Sequence, residues 1–275
     1  MNKIAFQGQA GAYSEQALRQ HFGEKAEAVG FRRLAAVFGA VESGHVAQAI
    51  VPVENSSAGS IFETYDLLSE HKLTIVGEAY LGIKHCLLAL AGATRGQLKK
   101  VYSHPQALQQ CQGYLDKLGV ETEPFFDTAG AAAWVAEKQD PALAAIAGKW
   151  AAKTYGLAVM AENIQTYAHN TTRFLILSKS PVKTPKGDCK TSILFEARHV
   201  PAALYKCLGG FATNGINLTK LESRPSQAGI GRYRFHLDCE GHVDEPALDQ
   251  ALRELQFYTT SLRVLGSYSQ AKIPE

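Results

Sequence analysis

The pattern of apolar and polar positions changes rhythm once along the chain. Up to about residue 180, short apolar runs alternate with stretches in which apolar residues recur every three or four positions. The runs at 86–90 and 142–147 predict buried strands, those at 3–7, 28–31, 48–53, 101–103 and 121–126 predict strands, and 73–76 and 79–83 are also read as extended. Between them, Ala17, Leu18 and Phe22, then Leu34, Val37, Phe38 and Val41, then Tyr65, Leu67 and Leu68, then Ala107, Leu108, Cys111 and Leu115 lie on one face of successive helices. An alanine-rich helix opens at Asp127-Thr128, and Gly156 closes another. Strand and helix alternating in two sets predict two α/β lobes with a cleft between them. Pro52 has no N–H to give a sheet, so the third strand is predicted to end there or to lie at an edge.

Residues 181–188 carry proline, glycine and charge without periodicity, which predicts a linker. After it come a strand at 191–197, a helix opening at Pro201 and closing at Asn214-Gly215, and a strand at 216–222. A turn at 226–231, a strand at 233–239 with Tyr233, Phe235 and Leu237 inward, a helix at 246–255 and a strand at 262–268 complete the chain. The order β-α-β-β-α-β is that of a ferredoxin-like unit.

Composition narrows the class. Of 275 residues, 46% are hydrophobic and 20% charged, which fits a globular protein and argues against disorder. A net charge of +2 gives no basic field for nucleic acid. Cys86, Cys111, Cys189, Cys207 and Cys239 are scattered without C-x-x-C spacing, so free thiols in a reducing cytoplasm are expected, with no disulfide framework and no metal site. The chain enters its first strand at once and has no apolar run of spanning length, so neither a signal peptide nor a membrane segment is expected.

Four polar turns carry the candidate chemistry. Gly8-Gln9-Ala10-Gly11-Ala12-Tyr13-Ser14 joins a strand to a helix N-terminus, where N–H groups and the helix dipole favour an anion. Its G-x-x-G spacing is neither a dinucleotide fingerprint nor a P-loop, so NAD and ATP are poor guesses. Glu54-Asn55-Ser56-Ser57-Ala58-Gly59-Ser60 offers hydroxyls, an amide and backbone N–H groups, and Ser60 with Glu63 has capping-box spacing. Ser103-His104-Pro105-Gln106 opens a helix on which Gln106 and Gln110 share a face. Asn170-Thr171-Thr172-Arg173-Phe174 feeds an apolar run. Alternation along an extended chain sends Thr172 and Phe174 to one side and Arg173 to the other.

These segments, with Val51-Pro52-Val53 before the second turn and Leu218-Thr219-Lys220-Leu221-Glu222-Ser223-Arg224-Pro225 in the second half, resemble the prephenate dehydratase family over essentially the whole chain. The resemblance implies a two-lobed, type II periplasmic-binding-protein-like catalytic domain at 1–180, with lobes at roughly 1–78 plus 168–180 and at 79–167. An ACT regulatory domain follows at 189–270. It implies a carbon–oxygen lyase that converts prephenate to phenylpyruvate, water and carbon dioxide in phenylalanine biosynthesis, without cofactor or metal. Thr172 would donate a hydrogen bond to the departing oxygen, Arg173 would hold a carboxylate, and Phe174 would pack beside Thr172. Gly11, Ala12, Tyr13, Asn55, Ser56, Ser57, Gly59, Ser60, Ser103, Gln106 and Gln110 would bind substrate, with Glu54 bracing its loop. The resemblance further implies a homodimer or homotetramer, inhibited by L-phenylalanine at Ala202, Ala203, Leu204, Asn214, Glu222, Ser223, Arg224 and Pro225. Ala202 departs from the pattern, since the family carries glycine after this proline, and the added methyl is expected to weaken effector binding. Two other readings stand beside this one: arogenate dehydratase, the same reaction on the amino-acid form of the substrate, and a non-catalytic amino-acid sensor.

Overall fold

The structure is a computed structural model, and it describes residues 3–167, 169–181, 185, 187–226 and 232–274. Half of the expected linker at 181–188 and most of the turn at 226–231 lie outside the described residues.

The first lobe is built from β1 (Lys3–Gln7), α1 (Tyr13–Phe22), β2 (Glu27–Phe31), α2 (Leu34–Glu42), β3 (Gln48–Asn55), β4 (Gly59–Ser60), α3 (Phe62–Glu70) and β5 (Thr74–Gly82). The chain crosses to a second lobe of β6 (Cys86–Ala89), β7 (Lys100–Ser103), α4 (Pro105–Gln110), α5 (Gln112–Leu118), β8 (Glu121–Pro124), α6 (Thr128–Lys138), β9 (Leu143–Ala147), α7 (Lys149–Tyr155) and β10 (Ala158–Glu162). It then returns to the first lobe as β11 (Thr171–Ser178). The sheets run β2-β1-β3-β11-β5 and β10-β6-β9-β7-β8. Two sheets joined by two crossings give the expected two-lobed α/β architecture.

Two local expectations are corrected. β5 is one strand whose full length pairs with β11, so residues 79–82 belong to the first lobe. Pro52 does not end β3: it lies inside the strand at a break in its register with β11, two residues past the last one that pairs with β1, so it has the expected edge character on that side. Phe174 pairs with Pro52, Arg173 with Glu54 and Thr172 with Asn55, which leaves Val53 as the extra residue of a β-bulge. A bulge is where a sheet tolerates proline, and it shifts the facing of every residue beyond it by one. Asn55 therefore shares a face with Thr172, and Glu54 shares the opposite face with Arg173.

The C-terminal unit is β12 (Cys189–Ala197), α8 (Ala203–Thr213), β13 (Leu218–Pro225), β14 (Tyr233–Glu240), α9 (Pro246–Tyr258) and β15 (Thr259–Ser269). Its sheet order β13-β14-β12-β15 is that of the ferredoxin-like unit. One sheet face packs Ile193, Phe195, Leu237 and Cys239 against α8 and α9. The other face is also covered. Leu194, Leu265 and Tyr268 join Ile75, Leu175 and Leu177 of the first lobe in one apolar cluster. Pro201 was expected to open α8, but the helix starts at Ala203 because Ala202 adopts left-handed angles (φ 59°, ψ 25°).

Candidate active site

Between the lobes lies a cleft of about 260 Å³, walled by Pro52, Ile61, Ile83, Ala107 and Phe174 and carrying polar groups from both lobes. Its centre is the end of the β3–β11 ladder. Asn55 Nδ2 donates to Thr172 Oγ1 at 2.9 Å and to Asn170 Oδ1 at 2.7 Å. Asn55 Oδ1 accepts from the N–H groups of Ser57 and Ala58, both at 3.0 Å. The Asn55 amide is therefore fully engaged and its orientation is fixed. Thr172 accepts through its oxygen, which leaves its own proton free for an acceptor that enters the cleft. Among the described residues that proton has no partner.

The network continues into the second lobe. Asn170 Nδ2 donates to Gln110 Oε1 at 3.2 Å, and His85 Nε2 lies 2.8 Å from the same oxygen. An amide oxygen only accepts, so Nε2 carries the proton and Nδ1 accepts from Tyr13 Oη, at 2.8 Å. Burial lowers the His85 pKa below its ordinary value, against the opposing pull of Gln110, and keeps the ring neutral near pH 7. Burial likewise holds the Tyr13 phenol protonated, well above its usual range. Apart from the Asp127 carboxylate the cleft thus presents neutral groups, and no lysine or arginine is among the described residues that line it. The positive potential at its walls comes from helix N-termini: Tyr13 and Ser14 begin α1, and Thr128 begins α6. Asp127 turns its carboxylate into α6, accepting from Gly130 N–H at 2.6 Å.

The lobes are held together beside this site. Gly11, at φ 87°, packs where an added Cβ would lie 3.0 Å from the Ala151 backbone of α7, so only glycine fits. Trp150 Nε1 donates across the lobes to Glu15 Oε2 at 3.1 Å.

Thr172, Phe174, Asn55, Gln106, Gln110 and Tyr13 are brought together in the cleft. Ser56 and Ser57 line a contiguous depression with Gln106 and Gln110. The other expected ligand groups are engaged elsewhere. Ser103 is fully buried and donates to Ile146 O at 2.6 Å. Gly11 N–H donates to Glu15 Oε2, and Ala12 N–H to Gln9 O. Gly59 pairs with Asn55 in a two-strand hairpin. Ser60 does not cap α3, whose N-cap is Ile61; it donates instead to Glu222 Oε2.

Arg173 is the largest departure. Its guanidinium is turned away from the cleft, donating to Glu78 Oε2 at 2.8 Å and Asp238 Oδ2 at 2.5 Å. Of the expected effector residues, Ala202, Ala203 and Leu204 line a pocket of about 340 Å³ with Tyr233 and Phe235. Asn214, Glu222, Ser223, Arg224 and Pro225 do not line it. Asn214 caps α8 and Glu222 meets Ser60, while Arg224 pairs with Asp66. His85, which lies in none of the four candidate turns, completes the network with Asn170, which heads one of them. The available signal for His85 was its placement: it is a polar residue at a crossing between apolar strands.

An α/β cleft that presents a threonine hydroxyl among neutral donors, with two helix N-termini at its wall, has the form of a binding site for a small anionic molecule. A family model described as prephenate dehydratase matches residues 4–182. The chain is 44% identical to arogenate dehydratase 2 of Petunia hybrida, over 97% of this chain and 71% of that one. It is 39% identical to a bifunctional N-acyl-homoserine lactone acylase/prephenate dehydratase of Komagataeibacter europaeus, over 96% and 95%. The crystal structure of prephenate dehydratase in complex with L-Phe from Arthrobacter aurescens superposes with a TM-score of 0.90 at 30% identity, covering 98% of this chain and 90% of that one. The chain belongs to the prephenate dehydratase family, whose dehydratases are lyases.

Proposed function

We propose that the protein converts prephenate to phenylpyruvate in phenylalanine biosynthesis. The observation that carries this reading is the Asn55–Thr172 hydrogen bond, which aims a hydroxyl proton into a cleft of neutral donors. The substrate is a dianion with a carboxylate and a hydroxyl on opposite carbons of a non-aromatic ring. The C–C pair released with carbon dioxide becomes ring π density as the C–O bond breaks. The leaving oxygen takes one proton and departs as water, so one proton is consumed for each phenylpyruvate anion formed. Thr172 supplies a hydrogen bond that strengthens as charge develops on that oxygen, and donation from Asn55 makes its hydroxyl a better donor. The starts of α1 and α6 hold the carboxylates. Gln106, Gln110 and the Tyr13–His85 pair orient the ring, and Phe174 fixes Thr172 by packing. Following phenylpyruvate from prephenate tests this directly. Thr172→Ala is expected to lower kcat roughly 10²–10⁴-fold with a smaller change in KM.

Residues 1–180 act as the catalytic domain and 189–270 as an ACT domain that binds L-phenylalanine as a feedback inhibitor. The pocket at Ala202–Leu204 and the L-Phe complex of the Arthrobacter relative support this. Edge strand β13, with Leu221 exposed, is suited to pairing with a second copy, in a homodimer or homotetramer that brings Ser223 and Pro225 to the effector. Calorimetric titration with phenylalanine checks the effector; no heat at millimolar ligand removes it. The Petunia relative's name favours a second reading, arogenate as substrate. The ratio of kcat/KM for the two substrates decides between them.

A further inference from the structure

The pleat of the β3–β11 ladder has two sides, and both carry charge or chemistry. On one side Asn55 and Thr172 pair across the strands and face the cleft. One step along, Glu54 and Arg173 pair across the same strands and face the C-terminal sheet. Arg173 Nη1 meets Asp238 Oδ2 of β14 at 2.5 Å, and Arg173 Nη2 donates to Tyr268 Oη of β15 at 3.2 Å. Glu54 Oε1 accepts from Lys220 Nζ of β13 at 2.9 Å, and Lys220 Nζ also donates to Ser60 Oγ at 3.0 Å. Asp238 is in turn fixed by Ser192 Oγ at 2.6 Å. Glu78, on the neighbouring strand β5, takes Arg173 on one side and Lys190 of β12 on the other, at 2.9 Å. Arg173, Lys190, Glu78 and Asp238 form a buried cluster of two cations and two anions across the interface.

We infer that Arg173 and Glu54 are positioning residues through which the C-terminal sheet sets the geometry of Asn55 and Thr172. The inference rests on the reading that Thr172 performs the chemistry. Residues adjacent along a strand share a peptide plane. A guanidinium held by two carboxylates therefore fixes where the preceding threonine hydroxyl points. A shift of about 1 Å in a reacting group costs of order 10²-fold in rate, so a tether one residue away has leverage. The same strand β13 that supplies Lys220 carries Glu222, bonded to Ser60, and Arg224, bonded to Asp66. Movement of β13 is thereby passed to the Asn55 hairpin without any described group of that sheet lining the cleft.

The test uses the full chain with Lys220→Met, Lys220→Arg and Asp238→Asn, read by amide hydrogen exchange and by steady-state kinetics. Lys220→Met and Asp238→Asn are expected to speed exchange at 55–60 and 171–174 by about tenfold while leaving 3–7 unchanged. The same two variants lower kcat by about fivefold or more with KM within about twofold, and Lys220→Arg stays near wild type. Folded variants with wild-type exchange overturn the inference, as does faster exchange with unchanged kcat, which reduces these contacts to structural ones. If Asp238→Asn does not fold, Lys220→Met alone decides. Should wild type turn over neither prephenate nor arogenate, the proposed function fails, and the exchange result still decides whether the sheet holds the hairpin.

Discussion

Asn55 Nδ2 donates to Thr172 Oγ1 at 2.9 Å, across paired strands and on the cleft side of a bulge. The direction of that bond matters more than its length. A hydroxyl that accepts from an amide has its proton left for a ligand. Asn55→Asp keeps the shape and the oxygen that holds Ser57 and Ala58 N–H, but it replaces the donor with an acceptor. The Thr172 proton then turns to the new carboxylate, and a negative charge faces an anionic ligand. We expect kcat to fall about 10²–10³-fold, the scale for losing one preorganised donor. Steady-state rates on the folded variant check this; turnover near wild type would show that the bond does not orient Thr172.

Ser103 is assigned to packing by its partner. Its hydroxyl is fully buried and donates to the Ile146 carbonyl at 2.6 Å, tying β7 to β9. Ser103→Ala leaves that carbonyl without its side-chain donor, at a cost of about 1–3 kcal/mol. Urea midpoints should fall accordingly, with kcat within about twofold of wild type. A tenfold loss of kcat at unchanged stability would return Ser103 to the ligand.

The two lobes, the ferredoxin-like unit and the alternation that separates Thr172 from Arg173 were legible because each follows from period and turn residues along a short stretch. Three features were not. The bulge at Val53 inserts one residue into a run that reads as regular, and that insertion decides which of Glu54 and Asn55 enters the cleft. Lys190, Ser192, His236 and Asp238 alternate with apolar neighbours and so read as a solvated face, yet all are buried against the first lobe. What a face docks on is not written in its own periodicity. His85 stands alone between two apolar strands and acquires its role only when Gln110 and Tyr13 arrive from distant segments.

That docked face makes stability depend on pH through His236. The ring is buried beside Tyr65, with centroids 4.9 Å apart, and its Nδ1 has no partner among the described residues. Burial lowers its pKa to about 4, although Asp238 pulls the other way. The unfolded value is about 6.5, so between 6.5 and 4 the unfolded chain binds more protons than the folded one. Stability is therefore fully present above about pH 6.5 and is lost as pH falls toward 4, by about 2 kcal/mol at pH 5. His236→Leu should shrink the difference in urea midpoint between pH 7.5 and pH 5. An unchanged difference would assign the acid sensitivity to other groups.

Ala202 stands where the family resemblance implies glycine, and its backbone supplies a physical reason for that residue. It ends the turn before α8 with φ 59° and ψ 25°, a region in which a Cβ costs about 1–2 kcal/mol. Ala202→Gly removes that strain but returns about 0.5–1 kcal/mol of chain entropy to the unfolded state, for a net gain of about 0.5–1 kcal/mol. For a chain of this size the melting temperature should rise by about 1–3 °C. The same change removes a methyl from the wall of the pocket formed with Leu204, Tyr233 and Phe235, so phenylalanine is expected to bind more tightly as well. Calorimetry of melting and of phenylalanine titration separates the two effects, since strain acts on the first and sterics on the second. A lower melting temperature would mean that the Ala202 methyl is packed to advantage despite its backbone.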